Sequence, residues 1–146
     1  MVHEKMYAAD NLAELPLDSY IHDLCSEILE SLGKSNNVKL IITGDNPSFE
    51  VKKLVPLALI FNELVTNSIK HGFREKELGA ITVQIINNTD TLEIEYSDDG
   101  DWFDNPRTSG FGTSLIEVFT EQLDGEFKLN KKDKGTKYSF QFRHAA

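Results

Sequence analysis

The sequence predicts a two-layer α/β (α+β) sandwich, in which one mixed, mostly antiparallel sheet carries three main helices on one face. Three observations lead there. Apolar residues recur at helical spacing in three separate segments, and each is followed by two short β-type segments, so the order is helix, two strands, three times over. Short polar turns join the paired segments, which suits hairpins rather than strict βαβ crossovers. At 146 residues, 40% hydrophobic and 27% charged, the chain can fill one core, and it has no repeat, low-complexity run or linker that would divide it.

Each element has its own grounds. His3–Ala9 has helix-forming composition that ends at Asp10-Asn11, and reads as the tail of an element beginning upstream. Leu17, Tyr20, Ile21, Leu24, Ile28, Leu29 and Leu32 then follow i, i+3, i+4 spacing; Asp18 and Ser19 offer caps and Gly33 a stop. Val38–Thr43 is compact and β-branched, and Gly44-Asp45-Asn46-Pro47 predicts a turn leading to a short Phe49–Val51 partner, together a hairpin. Pro56 suits a first helical turn, after which Leu57, Ile60, Phe61, Leu64, Val65 and Ile69 form a wide apolar stripe down to Gly72.

Ile81–Ile86 and Leu92–Tyr96 alternate around Asn87-Asn88-Thr89-Asp90, the pattern of an antiparallel hairpin. A loop from Asp98 to Ser109 precedes a helix over Leu115–Leu123, which Asp124-Gly125 ends. Phe127–Leu129 and Lys137–Phe142 close the chain as a second hairpin, turned at Asp133-Lys134-Gly135.

Charge and composition narrow the function. A formal net charge of −9 repels nucleic acid and anionic membrane surfaces, so no nucleic-acid or direct membrane contact is expected and any polyanionic ligand must be held locally. No apolar run is long enough to span a bilayer and Met1–Asn11 lacks an apolar signal core, which points to a cytoplasmic domain. The single cysteine, Cys25, suits a reducing compartment and sits among Ile21, Leu24 and Ile28 as a small core residue.

Three clusters carry the chemistry. Glu63, Asn67, Lys70 and His71 fall four, seven and eight residues along the central helix, so at helical spacing they share one face. Alone, such a stripe is usually a solvated face. Asp98-Asp99-Gly100 ends a strand with carboxylates and a residue that admits close approach, although Asp-Gly is by itself an ordinary turn. Gly110-Phe111-Gly112-Thr113 opens a helix, where free N–H groups and the helix dipole can cradle an anion, and simple capping would explain it equally.

In this order the clusters resemble the ATP-binding domain of sensor histidine kinases, the GHKL superfamily with its Bergerat fold. Asn62-Glu63-Leu64-Val65-Thr66-Asn67-Ser68-Ile69-Lys70-His71 is similar to the N box, Asp98-Asp99-Gly100 to the first glycine box, Gly110–Ile116 to the second, and Gly135-Thr136 to the third. His71, Gly110–Glu117 and Glu121–Gly125 resemble the HWE-type kinases and their relatives. Three departures stand out. Trp102 occupies the last glycine position of the first box, Tyr96 and Asp98 stand where the strict HWE signature has Trp and Glu, and only nine residues, Asp101–Ser109, form the lid.

The resemblance implies a role for each position. Asp98 would accept a hydrogen bond from the adenine amino group, with Gly100 permitting close approach and Thr136 supporting the adenine end. Asn67 would hold Mg²⁺ and Glu63 would polarise the attacking imidazole or order the metal's waters. Lys70 and His71 would meet phosphate oxygens; Gly110, Phe111, Gly112 and Thr113 would form the phosphate cradle.

It implies that residues 1–12 are the end of an upstream dimerisation helix and linker, and residues 13–146 the ATP-binding domain. The activity implied is transfer of the γ-phosphoryl group of ATP to a histidine on a dimerisation domain outside this chain, with a response regulator downstream and no autophosphorylation by the isolated chain. An anti-sigma-type serine kinase of the same superfamily and a non-catalytic nucleotide-binding docking module are the alternatives.

Overall fold

The structure, a computed structural model, describes residues 14–73, 78–100, 111–131 and 135–143, with the side chains of residues 111–114 and 131 set aside. Strand β1 (Glu14–Pro16) leads directly into helix α1 (Leu17–Ser31), and β2 (Val38–Gly44) and β3 (Ser48–Glu50) follow. A 3₁₀ turn over Val51–Lys53 enters helix α2 (Leu54–Asn67), which runs into a π-turn over Ser68–Gly72. Strands β4 (Gly79–Asn87) and β5 (Thr91–Asp98), helix α3 (Phe111–Gln122), and strands β6 (Gly125–Lys131) and β7 (Thr136–Arg143) complete the fold.

Five strands form the main sheet in the order β2-β4-β5-β7-β6; β2 is parallel to β4 and every other pair is antiparallel. This is the predicted two-layer sandwich. Alternation decides which face is covered. Ile81, Val83 and Ile85 on β4, Leu92, Ile94, Tyr96 and Asp98 on β5, and Thr136, Tyr138, Phe140 and Phe142 on β7 are all buried. Cross-strand register stacks them in rows, Ile81 beside Asp98 beside Thr136, then Val83 beside Tyr96 beside Tyr138. The residues between them, among them Glu93, Glu95, Lys137 and Gln141, lie on the other face, where Lys137 reaches Glu95 at 3.0 Å.

Helix α2 lies between α1 and α3, which is why its apolar stripe is wide: Leu54, Leu57, Ile60, Phe61, Leu64 and Val65 are all buried. On the narrower buried face of α1 are Leu17, Ile21, Cys25 and Leu29. Among the described residues no helix is long and apolar enough to cross a membrane.

Several local expectations are corrected. The segments around Val38–Thr43 and Phe49–Val51 do not pair with each other. β2 pairs in parallel with β4, so β2, α2 and β4 make a crossover, while β3 pairs with β1 in a separate two-stranded ribbon. The intervening turn residues explain the divergence. Gly44 takes φ 102°, and Asp45 is held to the end of β4 through its N–H on Ile85 O (2.8 Å) and its Oδ2 on Asn87 N (2.8 Å). The turn is thus bonded to the end of β4 and does not fold back on β2.

Asp18 and Ser19 do not cap α1. The Asn46 side chain accepts from Asp18 N (3.0 Å) and Pro47 O from Leu17 N (3.0 Å), so the same turn also satisfies the start of the helix. Gly33, at φ 71°, ends it as predicted. Helix α3 begins at Phe111, four residues before the predicted Leu115.

Candidate functional site

The covered face of the sheet is apolar over most of its length and turns polar at one end. At that end β5 finishes with Asp98, 7% exposed, beside Thr136 at the start of β7. Period-two alternation puts Asp98 on the same face as Ile94 and Tyr96, facing the helices. Asp99 turns the other way and serves the backbone: its Oδ1 accepts from Ala80 N (2.8 Å) and its N–H bonds Ala80 O (3.2 Å). Of the two adjacent carboxylates, only Asp98 is buried.

A buried carboxylate needs donors. Ser68 Oγ donates to Asp98 Oδ2 at 2.6 Å, and Gly100 N donates to Oδ1 at 3.0 Å. Behind Ser68 stands Tyr96, whose hydroxyl lies 2.7 Å from Ser68 Oγ and 3.2 Å from Leu64 O. Burial pushes the Tyr96 phenol well above its usual range, with the Asp98 charge adding to the rise against the opposing Ser68 hydrogen bond. Burial likewise raises Tyr138 to about 12, with Asp98 adding to it. Both phenols therefore stay protonated. One group at this end lacks a partner: Thr136 Oγ1 is buried with no hydrogen bond among the described residues, the condition in which a polar atom calls for a ligand or water.

Close backbone packing shapes the same corner. Gly100 O accepts from Gly135 N (2.8 Å), and a Cβ on Gly100 would lie 2.5 Å from the Gly72 carbonyl. At Gly135, φ is 85° and a Cβ would overlap Asp98 O. Three glycines thus let the end of β5, the start of β7 and the π-turn meet.

Helix α2 carries Glu63 and Asn67, four residues apart and both half-buried. Lys70, exposed, and His71, half-buried, lie on the π-turn, which Phe73 N closes on Ser68 O at 2.8 Å, an i to i+5 bond. The 3.6-residue arithmetic that set all four on one face therefore holds from Glu63 to Asn67 and not beyond. Thr113, Gly112 and Phe111 lie in the first turn of α3, where four N–H groups have no intrahelical partner. Gly110, the lid Asp101–Ser109 with Trp102, and residues 1–12 lie outside the described residues.

The sequence places Ser68 in the N-box run and Tyr96 at a signature position, but assigns neither a role in the site. Ser68 continues the stripe of Phe61, Leu64 and Val65 at helical spacing, and a hydroxyl at a core position is the signal that could have found it. Tyr96 gave none beyond strand alternation.

Open hollows elsewhere on the surface do not coincide with this corner. One, of about 410 Å³, is lined by Thr91, Glu121, Asp124 and Arg143. The register of β5 with β7 places it at the other end of the sheet.

Comparison with known proteins fits the geometry. The sequence pattern of a family described as histidine kinase-, DNA gyrase B-, and HSP90-like ATPase matches residues 52–146. The serine-protein kinase RsbW of Listeria monocytogenes is 39% identical over 56 residues, which cover 38% of this chain and 36% of that protein. The anti-sigma F factor of Clostridium botulinum is 29% identical over 130 residues, covering 75% of this chain and 87% of that one. Among solved structures, the histidine kinase domain from the Erythrobacter litoralis EL346 blue-light activated histidine kinase superposes with a TM-score of 0.78 at 20% identity, covering 97% of this chain and 69% of that one.

Proposed function

Because the chain belongs to the family of histidine kinase-, DNA gyrase B- and HSP90-like ATPases, we propose that it is the ATP-binding domain of a protein kinase and that the acceptor is a histidine on a dimerisation domain. The observation that carries the nucleotide reading is the polar corner of the sheet. Asp98 is buried and fixed by Ser68 and Gly100 beside an unpartnered Thr136 hydroxyl. A carboxylate held this way selects an amino group, and the exocyclic amine of adenine is one. Thr136 would take a ring nitrogen or a bridging water.

The phosphates would extend along α2 and the π-turn toward Lys70 and His71, which supply positive charge locally to a chain of net charge −9. Gly110, Phe111, Gly112 and Thr113 would meet them with backbone N–H groups at the start of α3. Asn67 suits Mg²⁺, since an amide carbonyl is an oxygen donor of the kind it accepts when water and phosphate complete its shell. Bound there, the ion neutralises charge on the transferring phosphoryl group. Glu63 polarises the acceptor imidazole by accepting its second ring proton.

Histidine as acceptor is supported by the sequence runs Glu121–Gly125 and Met1–Tyr7, whereas the N-box run Asn62–His71 is common to both kinds of kinase. On this reading the chain works with a dimerisation domain that carries the acceptor histidine and with a response regulator. The chain spans 36% of the length of the serine-protein kinase relative it matches. A second reading, an anti-sigma-type serine kinase, is favoured by the 39% identity to a serine-protein kinase over 56 residues and the 29% identity to an anti-sigma F factor over 130 residues.

Calorimetry with ATP, with and without Mg²⁺, tests binding; no binding in either leaves only a docking module without nucleotide chemistry. Incubation with γ-labelled ATP and an added dimerisation segment then separates the kinases. Acid-labile label on the segment, and none on this chain alone, is expected. Acid-stable label on a serine substrate would establish the second reading.

A further inference from the structure

We propose that Tyr96 and Ser68 are positioning residues that set the acceptor geometry of Asp98, and with it the selection of the 6-amino group of adenine. The inference rests on the adenine reading of Asp98.

Proton inventory gives the relay a direction. Ser68 has one hydroxyl proton, and its 2.6 Å bond to the Asp98 carboxylate uses it, because an ionised carboxylate only accepts. The 2.7 Å contact between Ser68 Oγ and Tyr96 Oη must then be donated by the phenol, with Leu64 O at 3.2 Å as a weaker second acceptor. The order is Tyr96 to Ser68 to Asp98, each proton pointing toward the site. Burial keeps the phenol protonated, so it remains a donor across the working pH range.

Packing fixes the relay at both ends. Tyr96 is 1% exposed and is held edge-on by Phe61 (6.2 Å between ring centroids) and Tyr138 (6.5 Å). Ser68, also 1% exposed, opens the π-turn and is held by that turn's own i to i+5 bond. Gly100 N takes the other carboxylate oxygen, so the plane of the acceptor is set from two sides. An acceptor whose plane is set in advance discriminates by direction as well as by charge.

The test compares ADP with purine riboside 5′-diphosphate, which lacks only the 6-amino group, both without metal so that Asn67 is not involved. Asp98→Asn should weaken ADP about 10- to 100-fold and leave the purine analogue within about twofold. Ser68→Ala should weaken ADP about 5- to 20-fold and Tyr96→Phe about 3- to 5-fold, again sparing the analogue. Both should be silent in an Asp98→Asn background, as members of one network are, and Ser68→Thr, which keeps a hydroxyl, should restore discrimination.

Urea denaturation confirms that each variant is folded, and Tyr96→Phe keeps the ring should Ser68→Ala fail. Equal loss for both nucleotides, or no loss for either, in Ser68→Ala and Tyr96→Phe would overturn the relay while leaving the adenine reading intact. An Asp98→Asn variant that does not discriminate would remove that reading and the relay with it.

Discussion

The two ends of the β5–β7 ladder use the same strands in opposite ways. At one end Asp98 pairs with Thr136, and acid, hydroxyls and phenols are buried together. At the other Thr91 pairs with Arg143, and the charged residues around it, Glu121, Asp124 and Glu126, face an open hollow. Polar groups in water need no special partner, whereas under the helices Asp98, Ser68 and Tyr96 hold one another, and among the described residues Thr136 Oγ1 is buried without a partner. The contrast shows where the fold accepts the cost of burying polarity, and a site for a polar ligand is the physical reason to do so.

Predictions that bear on this contrast run from large to small. Glu63 lies on the helix above the buried end, in the proposed reading next to the reacting group and not to the base. On that reading, Glu63→Gln in the intact protein should lower phosphoryl transfer about 10²- to 10⁴-fold while nucleotide binding stays within a few-fold. Parallel loss of both would reduce Glu63 to a metal or structural ligand.

Alkaline pH should act on the buried end. Burial raises Cys25 from 9.0 to about 12. Between those values the unfolded chain sheds a proton that the folded chain retains, so stability, complete below pH 9, falls as pH rises. The slope is about 1.4 kcal/mol per pH unit, or up to about 4 kcal/mol across the window. Urea unfolding from pH 8 to 11 should show a steeper decline for the native chain than for Cys25→Ala, and equal slopes would show that the thiol ionises freely when folded.

At the polar corner itself, Asp98→Asn should weaken ADP binding about 10- to 100-fold, as read by calorimetry. The smallest effect belongs to the opposite end. Arg143→Ala should change ADP affinity by less than about twofold and stability by about 0.5 kcal/mol or less. A tenfold loss there would mean that the two ends are coupled through the strands.

What could be read in advance divides along the same physical line. Helices α1 and α2 and the hairpins β4–β5 and β6–β7 follow from local periodicity, because each buries a face whose spacing the chain itself displays. The pairing of β2 with β4 did not, since nothing local to Val38–Gly44 names a partner beyond α2, and the turn signal at Gly44–Pro47 described the bend correctly while suggesting the wrong neighbour. Asp98 and Gly100 were visible as a carboxylate and a glycine ending a strand. Ser68 and Tyr96 were hidden because their function lies in a contact between a helix and a strand 28 residues apart in sequence. The π-turn was equally invisible, for its extra residue leaves no mark in an apolar stripe.

One consequence of the register concerns time. Asp98 ends one hairpin and Thr136 begins the second strand of the other, while Ser68 arrives from the helix. Each hairpin can form from its own neighbours, and neither alone contains a pocket. The corner exists only after both hairpins and the helix have docked, which makes it a late product of folding. A ligand that fits it can hold the finished molecule and cannot hasten its assembly. Saturating ADP should therefore slow unfolding in a denaturant jump roughly in proportion to its occupancy and leave the refolding rate unchanged, so that nucleotide acts on this chain as a brake on opening. A refolding rate that climbed with ADP would place the corner in the transition state instead.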